Sequence, residues 1–255
     1  MIGRDDGYRA AAIDAIADRH FEAAGDAYSR AAWSVLAEPR EGHDPFSIDE
    51  RGWVGGGVHY LVLAALCYRV AGAEARATRR SVEGVSVARD LASQTPRAVQ
   101  QACFTEFVGD LRVAGGLDGA TEAYDKAIEA YHKVGNELEQ PQRWATTPLF
   151  EAAAAAIKQT ARGPANGEIA VTWEDLHGSD PGNPGAFLAA RPQYKRQHFP
   201  AAVERVLETG VLAAPRGSTE YDTTHHACPH CGSTDVNWVG NATLCLRCSR
   251  PTAEQ

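Results

Sequence analysis

The stretch Leu117–Tyr131, LDGATEAYDKAIEAY, decides which fold this chain should adopt. Small and apolar residues recur along it at helical spacings, namely Ala120, Tyr124, Ala127, Ile128 and Tyr131. Spacings of three and four place these side chains on one face of a helix, while the charged residues between them face water. The alanines allow a second helix to approach closely, and the tyrosines fill the space that remains.

The same pattern occurs a second time near the start of the chain. Residues 21–32, FEAAGDAYSRAA, carry Ala24, Tyr28 and Ala31 at the same spacing. Two copies of one pattern indicate stacked helical hairpins rather than an active site. Apolar stripes, prolines and glycines predict the remaining helices within 7–37, from Trp53 to Gly72, over Glu74–Leu91, over 97–114 and from Thr147 through Ile157.

A glycine triplet, Gly55–Gly57, opens the helix that follows Trp53. Glycines in such a run could cradle a phosphate group. However, neither GxxxxGK nor GxGxxG is present, and no strand is predicted before the triplet. A helix entry at which another segment packs closely against the backbone is the favoured interpretation.

The helical pairs 8–36 and 97–134 resemble tetratricopeptide repeats, mainly in their second helices, where an alanine, an aromatic residue and an alanine recur. Gly109 matches the glycine of that family's first helix. The resemblance covers about residues 8–160, although the pair 53–92 departs further from the pattern. It implies a scaffold in which a groove binds a segment of a partner protein. The predicted fold is thus mainly α, with antiparallel helical hairpins over residues 1–164, and an irregular helical bundle is the alternative.

Composition and charge narrow the possible partners. The net charge of −8 disfavours sequence-independent attraction to nucleic acid or anionic lipid. The most apolar run, Val58–Cys67, is interrupted by His59 and is too short to cross a membrane. The N-terminal residues contain no apolar core of the kind that a secretory signal needs. We therefore expect a cytoplasmic protein that does not bind a membrane.

Residues 165–224 have a different character, because prolines and glycines interrupt the helical pattern. The segment is predicted to be irregular, with a short strand over Ile169–Trp173, one helix at about 199–212 and a linker over 213–224. Four basic residues precede or begin that helix, interleaved with Tyr194 and Phe199: Arg191, Lys195, Arg196 and His198. Such a composition is compatible with contacts to nucleic acid, and is also common in surface loops.

The C-terminal segment 225–255 carries the strongest chemical signal. Two CxxC pairs provide four cysteines, Cys228, Cys231, Cys245 and Cys248. Each pair forms a tight turn that presents two thiolates to one point, and two such turns complete the tetrahedral shell that Zn²⁺ prefers. Residues 236–239 and 243–245 between them predict a β-hairpin with its turn at Gly240 and Asn241. Residues 226–250 therefore resemble a zinc ribbon, although Ser249 stands where a second glycine would be expected.

The role expected for this metal is structural. Roughly thirty residues bury too little apolar surface to fold alone, so the metal would supply folding free energy. Four thiolates leave no open position for water, which disfavours hydrolysis. His225, His226 and His230 are possible competing ligands. Iron is the alternative metal, since the first cysteine pair is similar to that of rubredoxin.

Two functional hypotheses follow from these patterns. The first is a non-enzymatic adaptor whose helical body binds a protein partner. Its ribbon, with structural Zn²⁺, adds a second recognition surface or a cap on the body. The second is a nucleic-acid-associated regulator of transcription or translation that uses the ribbon and residues 191–198. An enzyme is disfavoured, because the sequence contains no evident nucleophile–base pair, cofactor-binding loop or site for a small-molecule substrate. No residue is therefore assigned a catalytic or cofactor-binding role.

Overall fold

Helices make up most of the structure, and a small group of strands follows them. A computed structural model of the chain describes residues 4–37, 44–49, 52–135, 138–163 and 169–254. The helices in these ranges are α1 Arg4–Ala17, α2 Phe21–Ala37, α3 Val54–Val70, α4 Glu74–Gln94, α5 Ala98–Gly115, α6 Ala120–Gly135, α7 Pro141–Ala145, α8 Pro148–Thr160, α9 Trp173–Leu176 and α10 Pro184–Thr209. The prediction of a mainly α fold with a small C-terminal strand region is confirmed.

The stretch that suggested the fold forms α6, and its buried face is the predicted one. Tyr124, Ala127 and Tyr131 are fully buried. The helix begins at Ala120 rather than at residue 117, because the chain uses four residues, 116–119, to turn after α5. Gly116 and Gly119 have φ angles of +65° and +78° in this turn, a left-handed conformation that glycine adopts without steric cost.

Helices α1 to α6 pack in chain order, each against the next. Glycines bring two of these pairs close together. A Cβ atom at Gly25 of α2 would lie 2.6 Å from Cε1 of Tyr68 in α3, and a Cβ at Gly109 of α5 would lie 2.6 Å from Cε1 of Tyr124 in α6. Each tyrosine ring therefore lies directly against the backbone of the neighbouring helix, where no larger residue than glycine fits.

The glycine triplet lies in the first turns of α3, and its members face three different surroundings. A Cβ at Gly55 would lie 2.8 Å from Cα of Leu149, so this glycine lets α8 approach α3. A Cβ at Gly57 would lie 2.6 Å from Cγ of Leu36 in α2. Gly56 faces open space, since a Cβ there would meet no atom within 4 Å. Close backbone packing, as predicted, explains two of the three glycines.

Helix α8 packs across the stack formed by the earlier helices. It contacts α3, α5 and α10. Its apolar residues Phe150, Ala153 and Ile157 are at most 1% exposed. Helices α3 and α5 also contact each other, so α8 covers a surface formed by alternate members of the stack.

The description of residues 165–224 as irregular with one helix at about 199–212 is wrong in its helix bounds. Helix α10 begins at Pro184, where Asn183 caps it by accepting a hydrogen bond from the Ala186 backbone amide. Pro192 and Pro200 lie inside the helix, although an internal proline costs about 3 kcal/mol. Burial of one helix face opposes this cost; the buried side chains are Phe187, Leu188, Arg191, Lys195, Phe199, Ala202, Val203 and Val206.

Two smaller expectations in this region are also corrected. No strand forms over the described residues 169–173; instead α9 begins at Trp173, because the Thr172 side chain and Asp175 form a capping box. Part of the predicted linker 213–224 is a strand, Ser218–Glu220, which pairs with the first hairpin strand. This strand has only three residues, too few for an alternation of apolar and polar residues to predict it from the sequence.

The C-terminal strands form two small antiparallel sheets. The strands are β1 Ser218–Glu220, β2 His226–Ala227, β3 Val236–Val239, β4 Ala242–Cys245 and β5 Ala253–Glu254. Strand β3 lies between β1 and β4, while β2 pairs with β5. The β3–β4 hairpin matches the predicted one, with Val239 opposite Ala242 and Gly240 at φ +59° in its turn.

One apolar cluster includes side chains from all three predicted segments. Ile13 of α1, Phe199 of α10 and Leu244 of β4 all belong to it. The division of the chain into domains that end at residues 164 and 224 stays a prediction. Among the described helices, none combines the length and the apolar character that crossing a membrane requires.

Candidate metal centre

The four predicted cysteines lie together. All pairs of their Sγ atoms are within 4.8 Å of one another. The Sγ atoms of Cys228 and Cys248 are 3.6 Å apart, and those of Cys231 and Cys245 are 3.5 Å apart. These distances are far longer than the roughly 2 Å of a disulfide bond, and all four cysteines are free. The sequence-predicted ligand set therefore converges on one point.

The two knuckles have the same backbone turn. In the first, the Gly232 amide donates to the Cys228 carbonyl at 2.8 Å, with Gly232 at φ +74°. In the second, the Ser249 amide donates to the Cys245 carbonyl at 2.9 Å, with Ser249 at φ +58°. Ser249 thus adopts the left-handed conformation that glycine would normally supply. The departure from the glycine pattern leaves the knuckle geometry intact.

The serine at this position has a second role. Its buried Oγ accepts a hydrogen bond of 3.0 Å from the Ala214 backbone amide. Ala214 belongs to the chain that leads from α10 to the strands, and it is fully buried. Glycine would relieve the backbone strain, but it would leave this buried amide without its acceptor, which costs about 1–3 kcal/mol. Ser249 can be read from the sequence, but only the fold shows that its hydrogen-bond partner is Ala214.

Arg19 fastens the second knuckle to the helical body. This residue lies between α1 and α2, and its Nη2 donates to the Cys248 carbonyl at 2.5 Å. Its Nη1 lies 3.5 Å from the Leu212 carbonyl, which it also faces. Burial lowers the pKa of Arg19, but the group stays cationic because its usual pKa lies far above neutrality. A cation at this position favours a cluster of thiolates beside it.

The thiols also influence one another. A hydrogen bond from the Cys248 thiol lowers the pKa of Cys245 to about 5, so Cys245 carries a thiolate at neutral pH. The same hydrogen bond, followed by burial, raises the pKa of Cys248. Metal ions bind the thiolate form, so Cys245 provides a ligand in the required protonation state.

The histidines considered as competing ligands are not part of the cluster within the described residues. His226 instead packs edge-on against Trp238, with ring centroids 5.1 Å apart. His225 and His230 are exposed. Because the site brings four sulfur donors within 4.8 Å of one another, the residues present fit a closed Cys₄ metal centre. They would hold the ion on four sides and leave it no position for water.

A second cluster, which the sequence did not reveal, lies inside the helical body. It consists of Glu106 and Asp110 on α5 and Arg191 and Lys195 on α10, none of them more than 1% exposed. Arg191 donates to both Glu106 oxygens, at 2.7 and 2.8 Å. Lys195 Nζ lies 2.7 Å from Asp110 Oδ2 and 2.8 Å from Glu106 Oε1. Two carboxylates and two cations balance one another, and we call this group the buried charge cluster.

Tyrosines of α6 complete the hydrogen bonding of this cluster. Tyr124 Oη donates to Asp110 Oδ1 at 2.8 Å, and Tyr131 Oη donates to Glu106 Oε2 at 3.1 Å. Burial alone would raise the pKa of Glu106, but Arg191 and Lys195 lower it to about 2. The tyrosines that suggested the fold therefore also satisfy buried carboxylates, as a low-dielectric environment demands.

This cluster corrects the interpretation of residues 191–198 as a basic surface. Arg191 and Lys195 are buried in ion pairs, so their charges cannot reach a phosphate. Arg196 is only partly exposed and pairs with Asp125 of α6. In the ribbon, Arg247 pairs with Asp235, its Nη2 lying 2.8 Å from Oδ2. The sequence does contain a signal for this cluster. Glu106 and Asp110 lie four residues apart within the apolar run of α5, and buried acidic residues require buried cations.

No protein-family model, curated protein or solved structure matches this chain.

Proposed function

We propose that this chain is a non-enzymatic protein-interaction adaptor of the cytoplasm, stabilised by a structural Zn²⁺ ion. The observation that carries the proposal is the attachment of the ribbon to the helical body. Arg19 and Ser249 bond the second knuckle to the body, and Val239 and Leu244 belong to the same apolar cluster as the helices. A ribbon fixed in this way presents its outer side chains at a defined place beside the helices.

We propose zinc as the metal, and the sulfur geometry is compatible with it. A Zn–S bond of about 2.3 Å places tetrahedral sulfur atoms about 3.8 Å apart. The distances between Sγ atoms of different CxxC pairs, 3.5 Å for Cys231 and Cys245 and 3.6 Å for Cys228 and Cys248, are close to this value. When bound, the ion would join the two knuckles and contribute folding free energy. Metal analysis of protein purified without added metal tests this assignment, and the visible absorption of an iron–thiolate centre would contradict it.

The helical body is proposed to be a tetratricopeptide-like stack. Its consecutive helices pack in order, and the alanine–tyrosine–alanine stripes of α2 and α6 are buried. Gly109, which matches the glycine of the family's first helix, contacts Tyr124 of α6 closely. Stacks of this type usually bind partners on the surface formed by alternate helices. Here that surface is covered by the chain's own α8, so we place the partner elsewhere.

The ribbon offers an alternative contact surface. Trp238 in the central strand β3 remains 39% exposed, and Tyr221 after β1 is 50% exposed. Exposed aromatic side chains held by a rigid framework are the residues that most often dominate binding at protein interfaces. We propose that the partner contacts this part of the ribbon, and that zinc is needed because it holds the strands in place.

A pull-down from native lysate, with and without nuclease, tests the adaptor proposal. The zinc-loaded chain is compared with the Trp238→Ala and Cys228→Ser/Cys231→Ser variants. Trp33→Ala is the matched control, because Trp33 is a similarly exposed tryptophan (38%) on α2, away from the ribbon. A partner that survives nuclease and is lost in both ribbon variants, but not in the control, is the expected result. Partners lost only with nuclease would favour the nucleic-acid hypothesis, for which the buried Arg191 and Lys195 give no support.

A further inference from the structure

A pocket of about 760 Å³ lies where α8 does not cover the helical stack. Its walls come from α1, α2, α3 and α8, from residues 169–173 and from the segment that leads to the ribbon. The volume is in the range of cavities that enclose small organic ligands. Gly56 of α3 lines it, and the absence of a side chain there keeps the space open. This accounts for the one glycine of the triplet that close packing does not explain.

The pocket is cationic in a protein that is acidic as a whole. Four of its lining residues carry positive charge: Arg9, Lys158, Arg162 and Arg216. None of the described lining residues is an aspartate or a glutamate. Neither Arg9 nor Lys158 has an ion-pair partner within the described part of the chain. Positive charges gathered around one pocket repel one another, and a bound anion would relieve that repulsion.

Hydrogen bonds hold one of these cations, Arg162, in the pocket wall. Arg162 is 8% exposed, and its Nη1 donates to the Ala214 carbonyl at 2.7 Å. Gln159, also in the wall, donates to the Ala213 carbonyl at 2.8 Å. These bonds hold the end of α8 against the segment that contains Arg216. The pocket therefore needs little rearrangement to receive a ligand, which lowers the entropic cost of binding.

One polar atom in the pocket wall has no hydrogen-bond partner among the described residues. His59 of α3 lines the pocket, and its Nδ1 is buried without a hydrogen bond in the described structure. Burial, together with the nearby Lys195 and Arg9, lowers the pKa of His59 to about 4. The imidazole is therefore neutral at pH 7 and can donate or accept one hydrogen bond. A buried polar atom left unsatisfied usually marks a place where a ligand or water completes the bonding.

The remaining wall is apolar and aromatic. Leu63, Tyr60 and Val171 line it, together with Ile169 and Trp173. Ile169 is 65% exposed and Trp173 is 42% exposed, so both offer apolar surface that the protein itself does not cover. Burial of such surface by a ligand is favourable, because it removes apolar area from water. The pocket thus combines a cationic side with an apolar side.

We propose that this pocket binds a small amphipathic anion, in which one carboxylate, sulfonate or phosphate group is attached to an apolar or aromatic body. The anionic group contacts Arg9 and Lys158, and the apolar body lies against Ile169 and Trp173. This inference goes beyond the adaptor proposal, and its test does not depend on a protein partner.

The first test compares two fluorescent probes that differ in charge. Anilinonaphthalene sulfonate carries one sulfonate on an aromatic body, whereas N-phenylnaphthylamine has the same aromatic body without the charge. With the full, zinc-loaded chain we expect saturable binding of the anionic probe to one site, weakened by added salt. Equal affinity for the neutral probe would overturn the proposal.

The second test blocks the pocket. Gly56→Leu introduces a side chain into the open space and should abolish binding of the anionic probe without disturbing the packing of α3. Gly7→Leu is the control, since a Cβ at Gly7 also meets no atom within 4 Å but lies on α1 outside the pocket. Circular dichroism establishes that both variants are folded. Unchanged binding by folded Gly56→Leu would overturn the proposal.

The third test removes charge. The double variant Arg9→Gln/Lys158→Gln should raise the Kd for the anionic probe about tenfold or more, and should change the Kd for the neutral probe much less. Arg30→Gln/Lys133→Gln is the matched control, because both residues are exposed and neither lines the pocket. An equal effect of the two double variants would mean that general surface charge binds the probe, which contradicts the proposal.

Competition then identifies the anionic group. Decanoate supplies a carboxylate and phenyl phosphate supplies a phosphate, each on an apolar body. Displacement of the bound probe by one of them supports the proposal and tells which group the pocket prefers. Displacement by neither would assign the site to the sulfonate group that the probe itself carries.

Discussion

Replacing Lys195 by methionine should destabilise the helical body by about 3–5 kcal/mol. Lys195 Nζ lies 2.7 Å from Asp110 Oδ2 and 2.8 Å from Glu106 Oε1. All three side chains are fully buried, so water cannot replace the lost cation. The variant leaves two carboxylates with a single buried cation, Arg191, and an uncompensated charge in this environment is the main cost.

A second change should restore part of the lost stability. Adding Asp110→Asn to Lys195→Met leaves the Glu106–Arg191 pair, which is neutral as a whole. The Asn amide oxygen can still accept the hydrogen bond that Tyr124 Oη now donates to Asp110. We expect the double variant to be more stable than Lys195→Met by roughly 1–3 kcal/mol, the usual size of coupling between contacting residues.

Urea unfolding of the zinc-loaded chain, followed by far-ultraviolet circular dichroism, measures both changes. Lys133→Met is the control: this lysine is exposed on α6, and its replacement should change the free energy of unfolding by no more than about 0.5 kcal/mol. The reasoning is refuted if Lys195→Met stays within about 1 kcal/mol of the unchanged chain, or if Asp110→Asn brings no recovery in its presence.

Three further predictions concern the metal and pH. After the metal is removed with a strong chelator, the strands should unfold at a lower urea concentration than the helices. The fluorescence of Trp238 should therefore change before the helical signal falls. A simultaneous change of both signals would contradict this order. Arg19→Gln should lower zinc affinity roughly tenfold, because it removes a cation and a hydrogen bond to the Cys248 carbonyl; competition with a colorimetric chelator measures it, and an unchanged affinity would refute it. Burial lowers the pKa of His177 to about 4, so the folded chain favours the neutral imidazole. The stability that the neutral imidazole contributes is complete above pH 6.5 and is lost as the pH falls towards 4. His177→Phe should therefore reduce the loss of unfolding free energy between pH 7 and pH 4.5 by roughly 2 kcal/mol, and equal slopes in variant and unchanged chain would count against it.

The metal ligands could be predicted from the sequence because their geometry is local. Each CxxC pair sets the direction of two thiolates within one tight turn, and the short hairpin between the pairs brings the turns together. Ser249 is the one residue of the knuckles where glycine was expected, and its backbone adopts the left-handed conformation that the turn needs. The attachment of the knuckle to the body through Arg19 was not predictable, since the two sites are 229 residues apart.

Helix α10 shows where local reasoning failed. An internal proline removes a backbone hydrogen bond, so the sequence predicts a helix only from about residue 199, beyond Pro192. In the folded chain, Arg191 and Lys195 face the carboxylates of α5, and Phe199 is fully buried. These tertiary contacts favour the helix by more than the prolines oppose it. The same contacts turned an expected basic surface into part of the interior.

Most helices of the body with their buried stripes, and the four cysteines with their hairpin, follow from the amino-acid sequence, because each depends on spacings of a few residues. The tertiary structure alone decided which helix faces meet. It paired Glu106 with Arg191 across 85 residues, laid α8 over the stack, and gathered cations from α1, α8 and the segment before β1 around one pocket. Periodicity tells which face of a helix is buried, but the partner of that face depends on shape and charge complementarity between distant segments, which no local pattern records.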